Sequence, residues 1–172
     1  MLRIFIRPAQ LEDSLNLGNL HQVLLEETSF MLMEPDELPR DAEFWEHRMA
    51  SFLNDSKNGF WVAQNERGML VGFLRMHGNS SLRLAHSAQI VLGVKRSYWG
   101  QGIGTHLFET GEQWAKTHGL VRLELTVMVP NRRALGLYHK MGFVVEGLRR
   151  QSIRYSHGEY VDEYLMAKIL SP

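Results

Sequence analysis

The chain has no cysteine among its 172 residues, which excludes disulfides, thiolate metal sites and cysteine nucleophiles together. It also has no net charge. Nineteen basic side chains balance nineteen acidic ones, so the broad attraction that a nucleic-acid binder needs is missing, and any anion site has to be local. Long apolar runs are missing too: Met1 to Arg7 lacks the apolar core and small-residue cleavage site of a signal peptide, and no later stretch is long enough to span a bilayer. A soluble cytoplasmic protein with neither a membrane nor a nucleic-acid partner is the expectation. The eight histidines include no pair at one-turn helical spacing, so no metal is expected.

What is present fits one core, and 1–172 is expected to form a single domain. Leu2 to Arg7 alternates as a strand; after Pro8 a helix shows its apolar face in Leu17, Leu20 and Leu24. Phe30 to Pro39 has two prolines and no period, which predicts an unusually apolar loop, and Trp45, Met49, Phe52 and Leu53 mark a second helix. Phe60 to Ala63 and Met69 to Met76 form a hairpin about Gly68, and a third strand is expected from Leu82 to Val94. A helix then runs from Ile103 to a cap at Gly119, followed by a strand over Val121 to Val129 and a short helix from Asn131 to Met141. Two strands about Ser156-His157-Gly158-Glu159 close the chain. The class is mixed α/β, with antiparallel hairpins and one right-handed strand–helix–strand unit that brings in a parallel pair.

Gly100, Gly102 and Gly104 stand where the third strand turns into a helix. Free N–H groups at a helix start, reached through glycines that let the backbone come close, make an anion site. A tight turn alone is the plainer explanation of such glycines. The site is not a P-loop, because Thr105 and His106 follow the last glycine where lysine would be required. A dinucleotide fingerprint wants a further glycine where His106 and Leu107 stand, although Glu124, about twenty residues on, keeps that reading as an alternative.

The second motif follows the next strand: Asn131-Arg132-Arg133-Ala134-Leu135-Gly136-Leu137-Tyr138-His139-Lys140-Met141-Gly142-Phe143. The chain resembles the GCN5-related N-acetyltransferase superfamily, whose cofactor motif reads Arg/Gln-x-x-Gly-x-Gly/Ala and whose later motif reads Asn-x-x-Ala-x-x-Leu-Tyr-x-Lys-x-Gly-Phe. Gly102 and Gly104 match the first; Asn131, Ala134, Leu137, Tyr138, Lys140, Gly142 and Phe143 match the second. Trp99 departs from the family's Arg or Gln, and Lys95, Arg96 or Arg133 is expected to supply the charge it lacks.

The resemblance implies a mostly antiparallel twisted sheet with a central splayed parallel pair, flanked by helices. It implies transfer of acetyl from acetyl-CoA to a primary amine by direct attack in a ternary complex, with no covalent acyl-enzyme. The cofactor site it implies comprises Leu92, Gly93, Val94, Gln101, Gly102, Ile103, Gly104, Thr105, Asn131, Ala134 and Tyr138. Within it Leu92 to Val94 form a bulged, splayed stretch that holds pantetheine, Gln101 to Thr105 hold the pyrophosphate, and the Val94 N–H polarises the thioester carbonyl. Tyr138 is the catalytic residue, a general acid to the leaving thiolate; a core aromatic is the bland alternative. From the residues themselves Asn131 fits an N-cap reaching the Ala134 N–H, and Gly93 predicts a bulge or a close backbone approach.

The base is less legible, since the strand Ala85 to Val91 has no carboxylate; Glu34, Glu124 and His86 could steer a water, and none is named catalytic. Phe30, Met31, Met33 and Glu34 are expected to wall the acceptor site. The acceptor is a small amine, an amino acid or a peptide N-terminus, classes that the carboxy-terminal third does not separate. An acyl-CoA sensor without turnover is the alternative from another class. Oligomeric state is open, with a homodimer through an exposed final hairpin as one assembly.

Overall fold

The computed structural model describes residues 3–170. Strand β1 (Ile4–Pro8) leads through a short 3-10 turn to helices α1 (Ser14–Glu27) and α2 (Ala42–Leu53). Strands β2 (Gly59–Asn65), β3 (Leu70–Gly78) and β4 (Ser87–Val94) follow, then α3 (Ile103–Thr117), β5 (Arg122–Met128), α4 (Arg132–Lys140), β6 (Val144–Arg154) and β7 (Tyr160–Ile169). This is the expected order. The seven strands make one sheet in the order β1-β2-β3-β4-β5-β7-β6, antiparallel everywhere except between β4 and β5.

One boundary differs. Leu82–Leu84 is a 3-10 turn rather than the start of a strand, and Leu82 is 93% exposed. The Ser87 hydroxyl donates to the Leu84 carbonyl (2.8 Å), closing the turn just before β4 begins. Leucine there had suggested a buried strand, but local hydrogen bonding by serine competes with a sheet ladder.

Each face of the sheet is covered by a pair of helices. Leu74 and Met76 of β3, Ile90 of β4 and Leu123, Leu125 and Val127 of β5 point to one face, where Ile103, Leu107 and Phe108 of α3 and Leu135 and Tyr138 of α4 complete the larger core. Phe143 closes it, edge-on to Phe108 at 5.2 Å between ring centroids. On the opposite face Phe60, Val62 and Phe73 meet Leu17, Leu20 and Leu24 of α1 and Met49 of α2. A smaller cluster of Leu25, Leu38 and Trp45 anchors the segment between α1 and α2, with the Trp45 indole N–H donating to the Pro39 carbonyl (2.8 Å).

His21 is part of this second core, stacked on Phe73 at 4.5 Å with its Nδ1 against the Leu17 carbonyl (2.8 Å). Burial is the chief cause that lowers its pKa to about 4, with Arg75 and Arg48 adding to it. The folded state therefore resists a proton that the unfolded chain accepts near pH 6.5.

Stability should accordingly be undiminished above pH 6.5, fall as the pH drops from there towards about 4, and level off below, with a loss of order 3 kcal/mol. Urea denaturation across that range measures it. A His21→Phe variant should show a flatter profile between those limits; an unchanged slope would assign the loss to other groups.

Candidate active site

Strands β4 and β5 are paired only at Ser87↔Arg122, Ala88↔Leu123 and Gln89↔Glu124, and beyond these they separate. On its other side β4 keeps an unbroken antiparallel ladder with β3, from Gly78↔Ala88 to Gly72↔Val94. The Lys95 N–H donates to the Val71 carbonyl (2.9 Å), which sets the alternation of that ladder. Gly93 and Val91 bond to β3, and Leu92 and Val94 direct their backbone groups to the side that β5 has left.

This corrects the expectation for Gly93. The ladder has no register shift there, so β4 is not bulged towards β3, and the backbone groups of Gly93 are used within the sheet. Its second expected reason holds: a Cβ at Gly93 would lie 2.7 Å from Leu24 Cδ1 and 2.8 Å from Phe73 Cε1, so glycine allows α1 to close on the sheet. The free edge is made by Leu92 and Val94 alone.

The open edge runs directly into the glycine turn. Gly100 and Gly102 have φ of 76° and 78°, a region that side chains rarely adopt, and Gly102 is the N-cap of α3. The first helix bond is His106 N–H to Gly102 O (3.0 Å). The N–H groups of Ile103, Gly104 and Thr105 have no helical carbonyl to reach, and no side chain caps them. Gly104 is glycine for a different reason, since its Cβ would stand 3.1 Å from Leu137 Cδ2 of α4. Together Gln101 to Thr105 present a row of donors at the positive end of a fifteen-residue helix, a fit for a phosphate group.

Trp99 does more than occupy a family position. Its indole N–H donates to the Val94 carbonyl (2.7 Å), bracing the turn against the strand. The Arg133 guanidinium lies 4.6 Å and that of Arg96 5.5 Å from its ring centroid, so two of the three expected cations are gathered at the turn. The third, Lys95, turns its Nζ to Met69 Sδ (3.4 Å). Arg96 is also bound to the end of α1: its backbone N–H donates to Glu27 Oε2 (2.7 Å) and its guanidinium to the Glu27 carbonyl. Glu27 was not singled out in the sequence, because nothing local marks a carboxylate that binds a backbone sixty-nine residues away.

Across the gap stands α4. The Asn131 side chain caps it by accepting from the Ala134 N–H (3.2 Å), as its sequence suggested. Tyr138 is 7% exposed and packs against Phe143; burial pushes its phenol up to about 12, and its hydroxyl bonds to no described residue. The phenol therefore stays protonated at any physiological pH.

The candidate bases fall in different places. His86 is exposed at the start of β4, the end away from the glycine turn. Glu34 is exposed and opens a 3-10 turn, its N–H bonded to Glu37 Oε2 (2.7 Å). Glu124 sits where β4 and β5 part, held by Arg122 at 2.5 Å, and Arg122 is also paired with Glu146. The structure adds Glu163, a β7 residue opposite Met128, only 4% exposed, whose ion-pair partner is Arg149 at 3.4 Å. A charge at a buried strand position gives no local signal, since its burial depends on which strands flank it. Of the expected acceptor wall, Phe30 and Met31 are half-buried, whereas Met33 and Glu34 are exposed. Among the described residues no group of three His, Asp or Glu could hold a metal, and no helix is long and apolar enough to cross a membrane.

The profile of the Acetyltransferase (GNAT) family matches residues 20–143. The chain belongs to that family. Its members use acetyl-CoA, which suits the donor row and free strand edge described above. An L-amino acid N-acetyltransferase of Escherichia coli is 33% identical over 107 residues, 59% of this chain and 63% of that protein, so the match spans less than two thirds of the relative. A GNAT-family acetyltransferase of Streptococcus pneumoniae superposes with a TM-score of 0.91 at 27% identity, covering 98% of this chain and 100% of the other. The fold is also that of yncA from Salmonella typhimurium, solved with its cofactor acetyl-CoA, at a TM-score of 0.79 and 18% identity over 99% and 95% of the two chains.

If the N–H row holds phosphate, Gly102→Ala should weaken acetyl-CoA binding by about tenfold or more, because a side chain at positive φ costs about 1–2 kcal/mol and shifts the donors. Gly136→Ala, in α4 with open space at its Cβ, should leave binding unchanged and stabilise the fold by roughly 0.5–1 kcal/mol. Calorimetric titration with acetyl-CoA and urea melts separate the two effects.

Proposed function

We propose that the protein transfers acetyl from acetyl-CoA to the nitrogen of a primary amine, acting in the cytoplasm by direct attack in a ternary complex. The observation that carries this is the continuity of free backbone donors, from Leu92 and Val94 on the parted strand to Gln101 through Thr105 at the start of α3. A pantetheine arm can lie along the first as an added strand while pyrophosphate meets the second. Arg133, steadied on Trp99, adds positive charge at the turn. Asn131 and Ala134 shape the first turn of α4 beside that arm.

The backbone N–H of Val94 polarises the thioester carbonyl, and that of Leu92 continues the same free edge. The amine lone pair forms the new C–N bond, the C–S bond breaks, and the thiolate takes the proton of Tyr138, which burial has kept in its protonated form; the second proton that the nitrogen sheds as the amide forms returns to the phenolate. The proton lost by the incoming ammonium leaves through water steered by Glu163. The acceptor enters from the face opposite α3 and α4, where Gln89, Thr126 and Leu165 are exposed, with Phe30, Met31, Met33 and Glu34 along its approach. The dinucleotide alternative loses its support, since Glu124 is held by Arg122 and the family match is to acetyltransferases.

Release of free CoA with a panel of amines tests the activity. Tight acetyl-CoA binding with no release for any acceptor would replace this reading with that of a sensor. Tyr138→Phe should lower kcat about 10²–10⁴-fold with the acetyl-CoA Kd and the melting temperature nearly unchanged, because the hydroxyl bonds to no described residue; an unaltered kcat removes Tyr138 from the chemistry.

A further inference from the structure

The face of the sheet beneath α2 contains an arginine that has no hydrogen-bond or ion-pair partner on its buried Nε among the described residues. Arg75 stands in β3 between Phe60 of β2 and Val91 of β4. Its neighbours Leu74 and Met76 reach α3 at Gly111, so alternation sends the Arg75 side chain to the other face. There its guanidinium lies 5.7 Å from the Phe52 ring centroid. Its Nε is sealed from solvent and finds no acceptor among the described residues.

The charged and titratable groups that act on it are Arg48 of α2, a second cation, and His21 of α1, which burial holds neutral. No carboxylate is among them. Desolvation accordingly lowers the pKa of Arg75, and Arg48 lowers it further. A guanidinium partly withdrawn from water without a counter-charge is destabilising unless something anionic arrives to meet it.

The position says what arrives. Val91, directly opposite Arg75, precedes Leu92, whose N–H faces the parted edge where the thioester carbonyl lies in the proposed reaction. The guanidinium is thus on the acceptor side of the sheet and one strand from the reacting centre. A planar fork backed by an aromatic ring suits a carboxylate taken bidentately.

We propose that Arg75 binds the carboxylate of the acceptor, and that the acceptor is a free α-amino acid. The inference rests on the acetyl-transfer reading and narrows it. A polyamine would meet the repulsion of Arg75 and Arg48, and a peptide amino terminus has no carboxylate adjacent to its amine.

The test compares free L-amino acids with their carboxamides, using CoA release as the kinetic readout and calorimetric binding of both series to the CoA-loaded protein. Wild-type protein should favour the acids. Arg75→Met should lower kcat/KM for the acids about 30-fold and bring the acid-to-amide ratio close to one, with Arg75→Lys in between. Acetyl-CoA affinity should hold and the melting temperature should hold or rise, since the change removes an unpaired, partly buried charge. Equal use of acids and amides by the wild type, an equal loss on both in Arg75→Met, or a preference for polyamines overturns the assignment and leaves acetyl transfer standing. Absence of CoA release with every amine overturns acetyl transfer itself. The calorimetry then decides Arg75: amino-acid binding abolished in Arg75→Met sustains it, and unchanged binding or none in the wild type overturns it.

Discussion

The parting of two parallel strands is the constraint from which the rest of the molecule follows. Three residues of β4 pair with β5 and the next five do not. Backbone groups left in that state inside a fold are costly unless something meets them, and the fold supplies no strand to do so. The gap is maintained from one side by α3 and α4, which pack together through Gly104 and Leu137 and fill the larger core beneath it. In the proposed function a pantetheine arm takes the place of the missing strand. The site is therefore a defect in a sheet, positioned by a crossover helix whose own N-terminus points at the same ligand.

In the proposed function the sheet also separates the two halves of the reaction. Donors for the cofactor lie with α3 and α4, while α1, α2 and the segment between them approach from the opposite face. Two long-range ties hold the glycine turn in place. Glu27, at the end of α1, binds the backbone of Arg96, and the Asn65 side-chain amide in the β2–β3 turn donates to the Tyr98 hydroxyl (3.0 Å). Both reach the eight residues between β4 and α3, so the glycine turn is braced by α1 and by β2 together.

Features encoded locally were legible in the sequence. The order of the elements, the hairpin glycines, the Asn131 cap and the junction of strand, glycine turn and helix all depend on neighbours a few residues apart, and the structure has them as expected. Features that depend on pairing between distant segments were not. Gly93 was legible as a special position, but whether its backbone faced the gap or the ladder depended on the register with β3. Trp99 read as a substitution to be tolerated, although it braces Val94 and carries two guanidiniums. Burial of Glu163 and the isolation of Arg75 are properties of the neighbouring strands and helices, and no local pattern announces them. Leu82 misled in the other direction, because an apolar residue in a turn resembles one in a strand.

The division of labour at position 99 has a mechanical consequence. In the usual motif a charged or amide side chain belongs to the same turn as the backbone donors, whereas here hydrogen bonds come from α3 and the stacked charge of Arg133 from α4. An anion bound at the turn would be held by two rigid bodies rather than one, and the close approach of Gly104 and Leu137 is where they meet. Sliding α4 along α3 would leave every hydrogen-bond donor and Arg96 in place and carry the charge of Arg133 away. The contribution of Arg133 to such a grip would thereby depend on interhelical packing.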